Sequence, residues 1–134
     1  MPIFSLPGEQ GIGTLGEGAY KFVDWLETAG MKVWQVLPLL PTSYGDSPYQ
    51  SYASDALNYY FIDFKPLYEE GLLSPEEVNA LTWSDDARRV DYGRQYAQKA
   101  MLLKCAFARF NRETADWKVF CRRGNITTLP SSKR

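Results

Sequence analysis

The sequence predicts an α/β fold that opens on a βαβ unit, and three observations carry that prediction. An amphipathic helical pattern occupies residues 16–30. A short, nearly all-apolar run follows at once in residues 32–39. A turn-rich, glycine-containing stretch precedes the helix, after Pro2-Ile3-Phe4-Ser5-Leu6-Pro7.

In chain order, residues 2–7 read as the end of a strand, and Gly8-Glu9-Gln10-Gly11-Ile12-Gly13 as the loop leaving it. The helix is read from Ala19, Phe22, Val23 and Leu26, which recur at three- and four-residue spacing, with Glu17, Lys21, Asp24 and Glu27 mostly opposite and Gly30 as the stop. Lys32-Val33-Trp34-Gln35-Val36-Leu37-Pro38-Leu39 is rich in β-branched and aromatic side chains, which suits a strand buried on both faces. Residues 40–58 lack a helical period and are dense in Pro, Gly, Ser, Tyr and Asp, so they form a long loop beyond the end of that strand. Tyr60-Phe61-Ile62-Asp63-Phe64 is a candidate further short strand.

The second half reads as helical. Leu73-Ser74-Pro75-Glu76-Glu77-Val78 combines an N-cap serine, a proline at the first helical position, a capping-box glutamate and a Leu73–Val78 staple, with the helix expected to run to about Leu81 or Thr82. A longer helix is expected after Asp91, with Tyr96, Ala100, Leu103, Phe107 and Phe110 along one face as a packing stripe that needs a partner. Trp117, Phe120 and Cys121 mark a last short apolar piece. Beyond it, residues 124–134 are polar and basic and read as a disordered tail.

Composition limits the function classes. With 134 residues, 45% hydrophobic and 23% charged, the chain is of single-domain size and is not disordered as a whole. Its net charge of -1 supplies no field for nucleic acid or an acidic membrane surface, so neither is expected as a partner. It has no apolar run of about 18 residues and no signal-peptide pattern at its start, so a cytoplasmic location is expected. Cys105 and Cys121 lack metal-ligand spacing and fall among helix formers, which predicts buried free thiols. Histidine is absent, which removes every imidazole-based mechanism and His-containing metal site from within this chain.

The most informative segment runs from Trp34 through Pro38-Leu39-Leu40-Pro41 to Tyr44-Gly45-Asp46-Ser47-Pro48-Tyr49-Gln50-Ser51. Aromatic rings beside short polar groups are what a sugar needs: its C–H face stacks on a ring and its hydroxyls demand donors and acceptors. The bland alternative is that these tyrosines merely pack the loop down. For Asp46 it is a turn-capping carboxylate bonded to nearby backbone N–H groups.

Three motifs, Ser5-Leu6-Pro7-Gly8 with Gly11-Ile12-Gly13 and Leu15-Gly16, then Trp34-Gln35-Val36-Leu37-Pro38-Leu39, then Tyr44-Gly45-Asp46-Ser47-Pro48-Tyr49-Gln50-Ser51, resemble the N-terminal signature of the 4-alpha-glucanotransferases (amylomaltases, disproportionating enzymes) of glycoside hydrolase family 77. The resemblance runs from about Pro2 to Phe120 and is strongest before Leu67. It departs at Asn58-Tyr59-Tyr60, where the family has Asn-Pro-Tyr, and over residues 54–57. It implies the N-terminal portion of a (β/α)8 TIM barrel with a helical inserted subdomain, the barrel being incomplete. Residues 1–67 would form the first βα units with a substrate loop at 40–58, residues 68–123 the helical insertion, and residues 124–134 the tail.

By the same resemblance, the activity is transfer of α-1,4-glucan segments between maltooligosaccharides by a retaining double displacement, with no cofactor and no metal. Tyr49 is similar to the tyrosine that stacks on the sugar beside the scissile bond. Ser47 and Asp46 flank it, and Tyr44 resembles an aromatic that touches glucan farther away. Trp34 and Gln35 are expected in the barrel interior. The resemblance also implies that the chain begins inside the first barrel strand and stops before the family's catalytic carboxylates. No catalytic residue is therefore assigned, and the chain alone is expected to be inactive.

Two other readings stay open at this level: a non-catalytic glucan-binding or interaction module, and a phosphate-binding protein suggested by Gly11-Ile12-Gly13-Thr14-Leu15-Gly16.

Overall fold

The computed structural model of the chain describes residues 1–54 and 56–123, so Asp55 and the expected tail 124–134 lie outside the described residues. The first helix, α1 (Glu17–Thr28), forms where its pattern predicts. Its face turned to the protein carries buried Ala19 and half-buried Phe22, and Gly30 follows it at φ +74°. Phe22 sets its ring edge-on to Trp34 at 4.9 Å, and with Ile3, Leu6, Ala19, Phe61, Val36 and Leu39 they make the first of two apolar clusters.

The flanking strands are not there as expected. Residues 3–5 turn as a short 3-10 helix (Ile3–Ser5), closed by the Leu6 N–H donating to the Ile3 carbonyl at 3.0 Å. Residues 31–39 carry no strand ladder, and Val33 is 81% exposed, which corrects the reading of a strand buried on both faces. A strand exists only through neighbours that take its backbone groups, and parallel neighbours arrive by crossover connections. Among the described residues the only bridge is the isolated antiparallel pair Thr42–Ser51. Trp34 and Val36 share one side, against the α1 cluster, while Val33 and Gln35 are exposed. Trp34 therefore packs on α1, and neither it nor Gln35 is enclosed as a barrel-interior residue. The expected strand at 60–64 is also a turn: Tyr59–Phe61 is a 3-10 helix capped by Asn58, whose Oδ1 accepts the Tyr60 N–H at 3.0 Å.

The glycines before α1 serve close packing. A Cβ on Gly13 would collide with the Ile3 carbonyl oxygen, and one on Gly16 with the Asp63 carboxylate, which also accepts the Thr14 hydroxyl at 2.6 Å.

The second cluster belongs to the helical half. α2 (Lys65–Glu69) leads to α3 (Pro75–Asn79), where both arms of the capping box are made: the Glu77 N–H to Ser74 Oγ at 3.3 Å and the Ser74 N–H to Glu77 Oε2 at 2.9 Å. Such a cap is worth about 1 kcal/mol. The helix ends slightly earlier than expected, with Ala80 as its C-cap. Leu73 and Val78 are both buried in one cluster with Phe64, Trp83, Leu102 and Ala106.

Asp91 caps α4 (Tyr92–Arg94), its Oδ1 accepting the Arg94 N–H at 3.0 Å. The chain continues through a π-helical turn (Gln95–Lys99) into α5 (Ala100–Arg109). The buried face of this helix is Gln95, Lys99, Leu102 and Ala106, whereas Tyr96 and Phe107 of the expected stripe are 69% and 51% exposed. Phe107 and Phe110 do find a partner, Trp117 of α6 (Ala115–Arg123), at 6.1 and 5.4 Å. Both cysteines are free, but only Cys121 is buried; Cys105 lies on the outer side of α5 and is exposed, a correction to the expected pair of buried thiols. No helix of the described residues is long and apolar enough to cross a membrane.

Candidate functional site

The long loop expected at 40–58 is an Ω-shaped excursion whose ends are tied together. The Asn58 N–H donates to the Leu39 carbonyl at 2.8 Å, so the chain returns to the point it left. Further out, the Thr42–Ser51 bridge and a Ser43 N–H to Gln50 carbonyl bond at 3.0 Å make the two arms antiparallel. The tip turns at Gly45 (φ +90°) and Asp46 (φ +52°), where the Asp46 N–H meets the Ser43 carbonyl at 3.1 Å. Left-handed backbone is natural for glycine and tolerated by aspartate, which fits the two residues found there.

The four residues nominated from the signature all sit on this loop. Tyr44 is fully exposed at the tip, at 101% of its reference area, and Tyr49 is 73% exposed on the returning arm. Ser47 is half-buried, and its Oγ accepts the Tyr49 N–H at 3.4 Å. Asp46 is half-buried and accepts the Thr42 hydroxyl at 3.2 Å. Its carboxylate thus ties the tip to the outgoing arm through a side chain, and the local backbone cap falls to Ser47. The tyrosines are not packed down: their rings stand in solvent.

Beneath the loop, Asp46, Pro48 and Thr42 share a cavity of about 20 Å³ with Asn58, Tyr60 and Tyr92. That space suits one water and is too small for a sugar. Burial pushes the phenols of Tyr60, Tyr59 and Tyr92 up, and the Asp46 charge adds to the same direction, keeping them neutral hydrogen-bond donors at neutral pH.

The carboxyl groups with a clear shift are not tuned as a glycosidic acid would be. A glycosidic acid must hold its proton near neutrality, which requires a raised pKa. Each carboxyl with a resolved shift is instead held low: Glu17 beside Lys21, Asp85 beside Arg94, Glu113 beside Lys118, Glu77 beside Arg109, and Glu76 by hydrogen bonds at its helix start.

The family model described as 4-alpha-glucanotransferase matches residues 1–128. The chain belongs to glycoside hydrolase family 77. It is 48% identical over 111 residues to the 4-alpha-glucanotransferase of Clostridium butyricum, covering 83% of this chain and 23% of that protein. To the 4-alpha-glucanotransferase of Streptococcus pneumoniae it is 47% identical over 120 residues, covering 90% and 24%. The solved amylomaltase from Streptococcus agalactiae in complex with acarbose matches at a TM-score of 0.85 with 40% identity, over 93% of this chain and 26% of that one. The chain spans about a quarter of the length of the curated relatives it matches.

Family membership bears out the expected fold class: this is the N-terminal portion of the family 77 barrel with its early helical segment, and no barrel closes among the described residues. The loop follows from the composition of residues 40–58, and the family 77 signature picks out the four candidate residues on it. That signature did not disclose Tyr60 and Tyr92 beneath the loop, or Lys99 behind Tyr60. The readable signal for Lys99 was the spacing Gln95, Lys99, Leu102, Ala106, a second helical stripe whose first two members are polar.

Proposed function

We propose that this chain supplies the substrate loop of a 4-alpha-glucanotransferase, which moves α-1,4-glucan segments between maltooligosaccharides by a retaining double displacement. In this reading residues 1–67 are the opening of the barrel and residues 68–123 the helical insertion. The location is cytoplasmic, and nucleic acid and membrane are not partners. The observation that carries the reading is the loop itself: two exposed tyrosines and a serine on a base closed by the Asn58–Leu39 hydrogen bond, in a chain 40% identical to an amylomaltase solved with acarbose. Tyr49 stacks on the sugar beside the scissile bond, Ser47 and Asp46 hold the turn that aims it, and Tyr44 offers a second stacking face. The carboxylates that break and remake the glycosidic bond belong to other parts of the barrel. A second reading, a glucan-binding module without catalysis, is favoured by the Lys and Arg partners that hold Glu17, Glu77, Asp85 and Glu113 low.

Maltotriose separates these readings. The purified chain should leave it unchanged, whereas a chimera in which this sequence replaces the matching 120 residues of the Streptococcus pneumoniae relative should convert it to glucose and longer oligomers. A folded but inactive chimera favours the module. Disproportionation by the chain alone, with host enzymes removed, contradicts both readings.

A further inference from the structure

The turn Tyr59–Phe61 is where three parts of the chain meet. The Leu15 N–H donates to the Phe61 carbonyl at 2.9 Å, tying in the segment before α1. Asn58, one residue before the turn, closes the base of the loop on Leu39. From the helical half, the Lys99 amine donates to the Tyr60 carbonyl at 2.7 Å and to Gln10 Oε1 at 2.9 Å. Lys99 has no exposed surface, and its Nζ stands 5.0 Å over the Phe64 ring. Gln95, one turn earlier in the π-helical stretch, gives its Nε2 hydrogen to the Gln10 carbonyl at 2.5 Å. π-helical turns recur at functional positions, and here the turn carries both buried polar side chains.

We propose that Lys99 is a positioning residue for the glucan loop, its amine fixing the Tyr60 carbonyl and the Gln10 amide so that the base from which Tyr44, Ser47 and Tyr49 project is held in one geometry. The inference rests on the glucan reading of that loop. The Tyr60 ring lines the cavity under the loop together with Tyr92, Asp46 and Pro48, so displacement of Tyr60 is felt at the tip through packed side chains. Removing the amine leaves the Tyr60 carbonyl and Gln10 Oε1 buried without their donor, and such groups relax toward water at the expense of local order. Burial draws the Lys99 amine down to about 7, with the Asp63 charge acting the other way.

The test is amide hydrogen exchange on the intact chain, comparing wild type with Lys99→Met and Gln10→Leu, and using Leu102→Ala as a core control. Both polar variants are expected to speed exchange at the Ser43, Asp46, Gln50 and Asn58 amides at least tenfold while α1 stays within about twofold, and Leu102→Ala is expected to speed loop and α1 together. Should Lys99→Met fail to fold, Gln10→Leu keeps the lysine, removes one acceptor and carries the comparison. Unchanged loop exchange, or equal acceleration of loop and α1 in the polar variants, overturns the positioning role. In the chimera with the Streptococcus pneumoniae relative, a loop that gains no protection from added maltoheptaose contradicts the glucan reading instead, and the exchange comparison without glucan stays separate from it.

Discussion

Arg109, in the last turn of α5, holds the Glu77 carboxylate with two hydrogen bonds, at 2.6 and 2.8 Å, while that same carboxylate closes the capping box of α3 on Ser74. One side chain therefore caps a helix and pins it to its neighbour. The Arg109 guanidinium, and then the Ser74 N–H, pull the Glu77 carboxyl down to about 2 from its ordinary 4.5. A depressed carboxyl stabilises the fold fully above its unfolded value and loses that contribution as pH falls through its folded value. Melting temperature should accordingly drop between about pH 4.5 and 2, and Glu77→Gln should be less stable at neutral pH with a shallower acid limb. An acid limb as steep in Glu77→Gln as in wild type contradicts this.

Lys99 gives a slope of the same sign in a higher pH window. Its amine is lowered to about 7 from 10.5, so between those values the unfolded chain binds more protons and stability rises with pH. The buried phenols of Tyr59, Tyr60 and Tyr92, shifted upward, oppose this only above about pH 10, where the unfolded phenols ionise. Melting scans from pH 7 to 9.5 should show the wild type gaining relative to Lys99→Met. Parallel curves refute it.

Gly16 is packed against the Asp63 side chain with no room for a Cβ. Gly16→Ala should destabilise the chain by roughly 1–3 kcal/mol through overpacking. It must also displace Asp63 from Thr14, whose hydroxyl bond would be lost. Denaturant titration reads the loss; a variant as stable as wild type shows that Asp63 can move without cost.

What could be read from sequence followed from how local each feature is. The α1 stripe, the Gly30 stop and the Ser74–Glu77 capping box depend on residues within one or two turns, and they stand where expected. The segment 32–39 has strand composition but lacks the neighbours that make a strand, a non-local condition that residue types do not state. On the long helix, the greasier stripe of Tyr96 and Phe107 drew the reading away from the face that is buried. Gln95 and Lys99 sit inside only because Gln10 and Tyr60, distant in sequence, supply their partners. The loop itself is legible from its Pro, Gly, Ser, Tyr and Asp content and its candidates Tyr44, Asp46, Ser47 and Tyr49 from the family signature, whereas its closed base shows in neither.

The most direct measurement concerns Tyr49 and is made in the active chimera, because the sugar would lie between this loop and the rest of the barrel. Transfer kinetics and melting temperature are taken on the same samples of wild type, Tyr49→Phe and Tyr49→Ala. Substrate stacking predicts a mild effect for Tyr49→Phe, which keeps the ring. For Tyr49→Ala it predicts a more than tenfold loss in transfer rate, about 1.4 kcal/mol of transition-state stabilisation, with little change in melting, since the exposed ring contributes little to packing. A Tyr49→Ala chimera that melts lower but transfers glucan at the wild-type rate per folded molecule would contradict the substrate role of the loop.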